Sequence, residues 1–286
     1  MPMLVIGVCC WWECAGCGPK TTDIVIAEMG PGVDAGSAVT DPMVYDDRDW
    51  ATVLRENVGD GLVDYVHLAA HREPLDRYLA RINVCGPRST PDAFPSREDR
   101  VCYYVNGFNA GVLAAILRAG VPGDVSSVAD GWLQDRFRVR LDGEWVRLRE
   151  VESKLVEESG DDGRVLFALC DGAAGSPPLH DQPLRPGGLD ETLRLLARKA
   201  MDDHRIVAVD HARQELLVAT WLTARQSWLI GSYERRTAAR DATMLNVLLE
   251  FAGSTRRDWL NTAVGYPVRM IPFDRRVNRK PADDGK

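Results

Sequence analysis

Cys170, Asp171 and Asp274 are the residues of this chain whose types could attack or polarise a bond. Cys170 ends the apolar run Val165-Leu166-Phe167-Ala168-Leu169-Cys170, and a glycine- and proline-rich stretch over 172–178 follows it. A thiol at the point where a buried element gives way to a loop stands where reacting groups are often carried. The chemistry would be nucleophilic, a thiol- or carboxylate-dependent hydrolysis or acyl transfer, and it would need a base and a lowered thiol pKa. The chain has five histidines. His180, His204 and His211 fall in or beside expected loops, and no spacing pairs one of them with Cys170. His67 and His71 are four apart on an expected helix, a spacing that suits a metal, but Leu68 stands where a zinc protease carries its general-base glutamate. They read as surface histidines. With no Gly-x-Gly-x-x-Gly, phosphate-binding loop, paired-cysteine zinc frame or Gly-x-Ser-x-Gly elbow, neither a cofactor nor a metal is expected.

Two asparagines form a second candidate centre. Asn106 and Asn109 lie in a stretch without a charged residue from 101 to 117. A helix that is uncharged all round is normally buried. Val101, Val105, Phe108, Val112 and Ile116 share one stripe, and Cys102, Asn106, Asn109 and Leu113 share its neighbour, so both carboxamides look the same way. An unpaired buried amide costs about 1–3 kcal/mol, so specific partners must meet them. Glu152, Asp171 and Asp274 could supply acids that converge there. In the plainer reading, which is preferred, Asp171 and Asp274 cap turns and Glu152 pairs with an arginine. Gly107 and Gly111, each costing about 1 kcal/mol in a helix interior, imply that a backbone or a ligand approaches closely.

The elements that must hold these groups follow from periodicity. Trp50, Val53, Leu54 and Val58 have helical spacing, as do Leu75, Tyr78, Leu79 and Ile82. After the central helix, Phe137, Val139 and Leu141 alternate with arginines up to Asp142-Gly143, a two-residue hairpin signal. Pairing across that turn sets Val139 opposite Val146 and Phe137 opposite Leu148. A charged helix is expected over 151–158, a buried strand over 165–170 and a helix over 189–201. Strands are expected over 206–209, 215–219 and 268–271, with a helix over 244–251. This mixture predicts one α+β domain over 49–280, with helices packed on a small, mostly antiparallel sheet, and a disordered tail over 281–286.

Composition narrows the partners. A net charge of −7 on 286 residues argues against nucleic acid, whose binding is driven by Lys and Arg. The one basic cluster, Arg275-Arg276-Val277-Asn278-Arg279-Lys280, reads as a solvated end rather than a docking patch. At the start, a short apolar run leads to Ala15-Gly16-Cys17, the form of a bacterial lipoprotein cleavage site, which makes Cys17 the expected lipidated residue over a 1–17 signal. No Lys or Arg precedes the run, Glu13 interrupts it, and Cys14 stands where Leu is usual. On this reading 18–48 is a flexible tether, the protein is extracytoplasmic, and its contact with the membrane is through the lipid alone. Without a signal it would be cytoplasmic.

The order of segments resembles the family known as domain of unknown function 547, over most of the chain after Tyr65. The family's Trp-Ile-Asn-aliphatic-Tyr-Asn-Ala stretch is similar to Tyr104-Val105-Asn106-Gly107-Phe108-Asn109-Ala110, and an acidic segment after a hairpin is similar to Arg147-Leu148-Arg149-Glu150-Val151-Glu152. Phe167-Ala168-Leu169, Gly172 and Ser176-Pro177 match a third motif, and Pro272-Phe273-Asp274 a fourth. The resemblance implies a binding set of Asn106, Asn109, Glu152 and Ser176. Bacterial members often carry His where this chain has Leu166, and Cys in the loop where it has Asp171 and Ser176, so the residues best suited to a thiol mechanism are missing. A fainter likeness, to papain-like and transglutaminase-like folds, would set Asn106 or Asn109 near the nucleophile's place and Leu166 at the base's. The expectation is a non-catalytic binding or scaffold domain of the cell envelope, with an unidentified ligand or protein partner. The alternative is a hydrolase or acyl transferase using Cys170, Asp171 or Asp274 with a distant histidine.

Overall fold

The computed structural model describes residues 24–25, 44–126 and 133–281. Strand β1 (Ile24–Val25) is followed by α1 (Arg48–Asn57), the strand pair β2 (Val58–Gly59) and β3 (Leu62–Val63), α2 (Tyr65–Ala70) and α3 (Glu73–Val84). The long helix α4 (Arg97–Arg118) comes next, then α5 (Leu133–Arg136), the hairpin of β4 (Phe137–Leu141) and β5 (Glu144–Arg147), and α6 (Leu148–Ser159). A 3-10 helix over Gly163–Ala168 and a long irregular stretch lead to α7 (Leu189–Asp202), β6 (Val207–Asp210), β7 (Glu215–Ala219) and α8 (Thr220–Thr223). Helices α9 (Gln226–Thr237), α10 (Met244–Phe251) and α11 (Ser254–Asn261) and strand β8 (Val268–Ile271) complete the described body.

Helix α4 is the centre of the packing. Ser96 and Asp99 form a reciprocal capping box that starts it, and Gly120 in a left-handed conformation, then Pro122, end it. From Val101 to Ile116 every side chain but Tyr104 is buried. That burial agrees with the uncharged sequence, because a helix wrapped on all sides has no face to give to water. The hairpin and α6 lie across its glycine side, where a β-carbon on Gly111 would sit 2.9 Å from Leu148 Cδ2 and one on Gly107 3.2 Å from Leu141 Cδ2. The close neighbours are thus leucine side chains, not a backbone or a ligand.

The fold is α+β, mostly helical, with three small sheets among the described residues. β1 runs parallel to β4, and β4 antiparallel to β5. β6 and β7 are antiparallel and β7 and β8 parallel. The hairpin turns on Asp142 and Gly143, both at positive φ, as its type requires. Val139 faces Val146 in the expected register, and the ladder reaches Arg138 and Arg147. Phe137 and Leu148 are both buried, but Leu148 already begins α6.

Four expectations need correction. Residues 165–170 form no strand: the run turns as a 3-10 helix and then straightens irregularly. A continuous apolar run signals burial without fixing the backbone, and Val165 through Cys170 are all buried. The folded body also reaches closer to the N-terminus than the helical spacing marks. Tyr45 packs its ring 5.1 Å from Phe94 and bonds its hydroxyl to that of Tyr78 at 3.0 Å, while Ile24–Val25 pairs with the hairpin sheet. The backbone of the basic cluster at the end is a strap and not a free tail, while Arg275, Arg276 and Arg279 stay exposed, as expected of a solvated end. It makes single bridges with three separate segments, Asp124 with Arg276, Ala173 with Val277, and Val63 with Arg279, and it buries Val277 and Asn278. Lastly, α9 and α11 were not expected. Within α9 only Leu229 and Ser232 are buried, and within α11 only Leu260, too few to set a period. The expected signal over 1–17, most of the tether and residues 282–286 lie outside the described residues.

Candidate functional site

The two asparagines are buried, and both polar atoms of each are hydrogen-bonded. Asn106 Nδ2 donates to Leu184 O at 2.9 Å, while its Oδ1 accepts from Leu184 N at 3.0 Å and from Trp50 Nε1 at 3.3 Å. Asn109 Nδ2 donates to Ala168 O at 2.9 Å and its Oδ1 accepts from Cys170 N at 3.0 Å. Each carboxamide acts as a stand-in peptide group for an irregular segment that has no strand neighbour. Buried backbone donors and acceptors must be paired, and in the stretch after the 3-10 helix the pairing comes from a helix side chain. The amides are held by distant loops, and both are buried.

Cys170 belongs to a second buried network. Its sulfur lies 3.7 Å from Ser176 Oγ and accepts from Asn278 Nδ2 at 3.4 Å. Ser176 in turn donates to Ala173 O at 2.7 Å, which leaves its oxygen free to take the thiol proton. Asn278 Oδ1 accepts from Tyr65 O–H at 2.9 Å. The thiol is 2% exposed. Burial pushes its pKa up to about 11, against the opposing pull of the hydrogen bond from Gly172 N–H. Such a thiol is protonated at neutral pH, the reverse of what nucleophilic chemistry needs. No histidine is among its partners.

The acids go elsewhere. Glu152 forms a two-pronged pair with Arg225, both contacts at 2.5 Å, and the two side chains are 14% and 23% exposed. Asp274 accepts from Arg276 N at 3.1 Å and pairs with its guanidinium at 2.6 Å, a turn cap closed by its own neighbour. The charge of Asp171 is felt by Arg149 and Arg225. None of Glu152, Asp171 and Asp274 is a partner of Asn106 or Asn109. Leu166, the position a papain-like scaffold would give to its base, is buried within the 3-10 helix and not on a strand. His67 and His71 stack with centroids 4.3 Å apart, and His67 Nδ1 meets Asn57 Oδ1 at 2.8 Å. Among the described residues no group of three or more His, Cys, Asp or Glu could hold a metal ion.

A cleft of about 330 Å³ lies beside this nexus, a size within the usual range for small-molecule pockets. Its apolar wall includes Phe167, Pro177, Pro178, Leu179 and Leu196, and its polar groups are Asp60, His180, Asp181, Lys199 and Asp203. His180 Nδ1 accepts from Gln182 N at 2.9 Å, which puts the ring proton on Nε2. Asp181 Oδ1, 3.2 Å from the same nitrogen, would favour a charged ring. Burial outweighs it and holds the His180 pKa below its ordinary value, so the neutral form prevails at pH 7. Neither Cys170 nor Ser176 lines this cleft. It can offer an imidazole N–H, an ammonium and carboxylates to a ligand with an apolar body, but no nucleophile of the kind expected. In sequence, His180 was one of three loop histidines, and nothing in the spacing linked it to Asp60, some 120 residues earlier.

Residues 92–199 match the family model described as Protein of unknown function, DUF547. The matched stretch runs from just before α4 through most of α7. It takes in three of the four motifs of the resemblance and leaves Pro272-Phe273-Asp274 outside. No curated protein and no solved structure matches the chain.

Proposed function

We propose that this DUF547 chain is a non-catalytic binding domain, and that the His180 cleft receives its ligand, a small molecule or side chain with an apolar body and hydrogen-bonding groups. The observation that carries the reading is the sealed Cys170 thiol, 2% exposed, hydrogen-bonded to Ser176 and Asn278, and raised in pKa to about 11. A nucleophile must face its substrate and be deprotonated by a base within reach. Cys170 meets neither condition, and Asp274 is closed on Arg276.

The proposed setting is the cell envelope, through a lipid on Cys17. Among the described residues no helix is long and apolar enough to cross a membrane. Mass spectrometry of protein isolated from its native host would show a chain beginning at a modified Cys17, and an unprocessed Met1 terminus would remove the envelope from the proposal.

Thiol labelling of the folded protein tests the central claim. Iodoacetamide at neutral pH should leave Cys170 unmodified until denaturant is added. Rapid modification of Cys170 in the native state would overturn the reading and favour a thiol-dependent hydrolase.

A further inference from the structure

A second cleft, about 740 Å³, lies away from His180, among α4, α6, α7 and α10. Its floor is apolar, with Val101, Leu193 and Phe251, but its rim carries six arginines against five carboxylates, on a chain whose net charge is −7. The charges are not evenly matched. Arg164 is paired with Asp162 and Asp190, Arg236 with Glu250, and Asp161 with Arg235. Arg97, Arg198 and Arg257 have no carboxylate within ion-pair distance among the described residues, and Glu98 is the one lining acid without an arginine.

Two of these three cations are anchored by backbone. Arg97 Nε donates to Glu158 O at 2.6 Å, and Arg257 donates to Leu249 O at 3.0 Å and Ala252 O at 3.3 Å. The carbonyl ends of helices attract cations. Since a guanidinium has five N–H donors, one is used on Arg97 and two on Arg257, and the rest stay available beside the cleft. Arg198 uses none. Arginine forks match carboxylate and phosphate oxygens in pairs, and a cleft with excess charge of one sign concentrates ions of the other.

We propose that this cleft is an anion site for a small organic molecule bearing two or more carboxylate or phosphate groups, with Arg97, Arg198 and Arg257 as its cationic contacts. It is a second site, independent of the His180 cleft and of whether that cleft binds anything.

Calorimetric titration of the full chain with citrate and with pyrophosphate, at low ionic strength, tests it. The expected result is saturable one-to-one binding of at least one probe, weakened tenfold or more by Arg198→Glu and by Arg97→Glu, and unchanged by Arg213→Glu on the remote β6–β7 turn. The tighter probe identifies the headgroup. Circular dichroism shows that each variant is folded, and Arg198, which makes no hydrogen bond, leaves the fold untouched when replaced. No saturable binding of either probe at millimolar concentration would overturn the proposal, as would an equal loss in Arg213→Glu.

Discussion

Asn106 and Leu184 exchange two hydrogen bonds, side-chain Nδ2 to Leu184 O at 2.9 Å and Leu184 N to side-chain Oδ1 at 3.0 Å, in the manner of residues on adjacent strands. One turn along the same helix, Asn109 bridges Ala168 O and Cys170 N in the same way. Irregular backbone can run through the interior here because α4 supplies it with a side-chain ladder of two rungs.

Replacing Asn109 by Leu strands a buried carbonyl and a buried N–H, so the domain should lose about 2–6 kcal/mol at about 1–3 kcal/mol per orphaned group. Urea denaturation reads this directly, and an unchanged midpoint would contradict it. Asn109→Asp is more telling. Its carboxyl can donate to Ala168 O only when protonated, so burial raises its folded pKa above the ordinary value near 4. The raised pKa means that this variant should be most stable at acid pH and lose stability as pH rises through the folded value.

Gly175 approaches the strap backbone to backbone. A β-carbon there would lie 2.6 Å from Asp274 N and 3.0 Å from Asp274 O, atoms that cannot rotate aside. Gly175→Ala should cost about 1–3 kcal/mol, the usual range for overpacking. Gly253→Ala, where nothing lies within 4 Å, should be near neutral. Equal melting temperatures for the two variants would disprove the contact.

Alkali should destabilise the protein in part through its buried thiols, which titrate before the buried tyrosines that burial likewise raises. Burial first, then nearby carboxylates, raises Cys102 to about 12, and burial raises Cys170 to about 11 from an ordinary value of 9.0. A folded pKa above the unfolded one gives stability that is complete below the unfolded value and is lost as pH rises toward the folded one. Between pH 9 and 11 each thiol should therefore contribute a fall on the order of 1 kcal/mol per pH unit. Chemical denaturation at several pH values should show a shallower slope in Cys102→Ala, and an identical slope would sink the assignment.

Glu152 and Arg225 form the most enclosed of the ion pairs named here, at 14% and 23% exposure. A double-mutant cycle with Glu152→Gln and Arg225→Met should give a coupling of about 1–3 kcal/mol, within the span for residues in one ion-pair network. A coupling indistinguishable from zero would place the pair with ordinary surface bridges.

Much of the architecture was legible because it depends on local signals. The uncharged stripe of α4 and the Asp142-Gly143 turn each act within a few residues, and they mark the central helix and the Val139–Val146 register. Residues 165–170 were misread because burial on every side leaves no period from which to tell a strand from a 3-10 turn. The need to satisfy two buried asparagines was likewise visible, but their partners were not, since Leu184 and Cys170 lie 78 and 61 residues away.

Sequence by itself thus determined that α4 is central and that its amides must be paired. Tertiary structure alone decided what the amides pair with, that Cys170 is buried, that the backbone of the basic end is a strap, and that Arg97, Arg198 and Arg257 gather on one cleft. The physical reason is range. Caps, turns and periodicity are fixed by neighbours in the chain, whereas burial of a thiol and the balance of charge in a cleft depend on which distant segments fold against it.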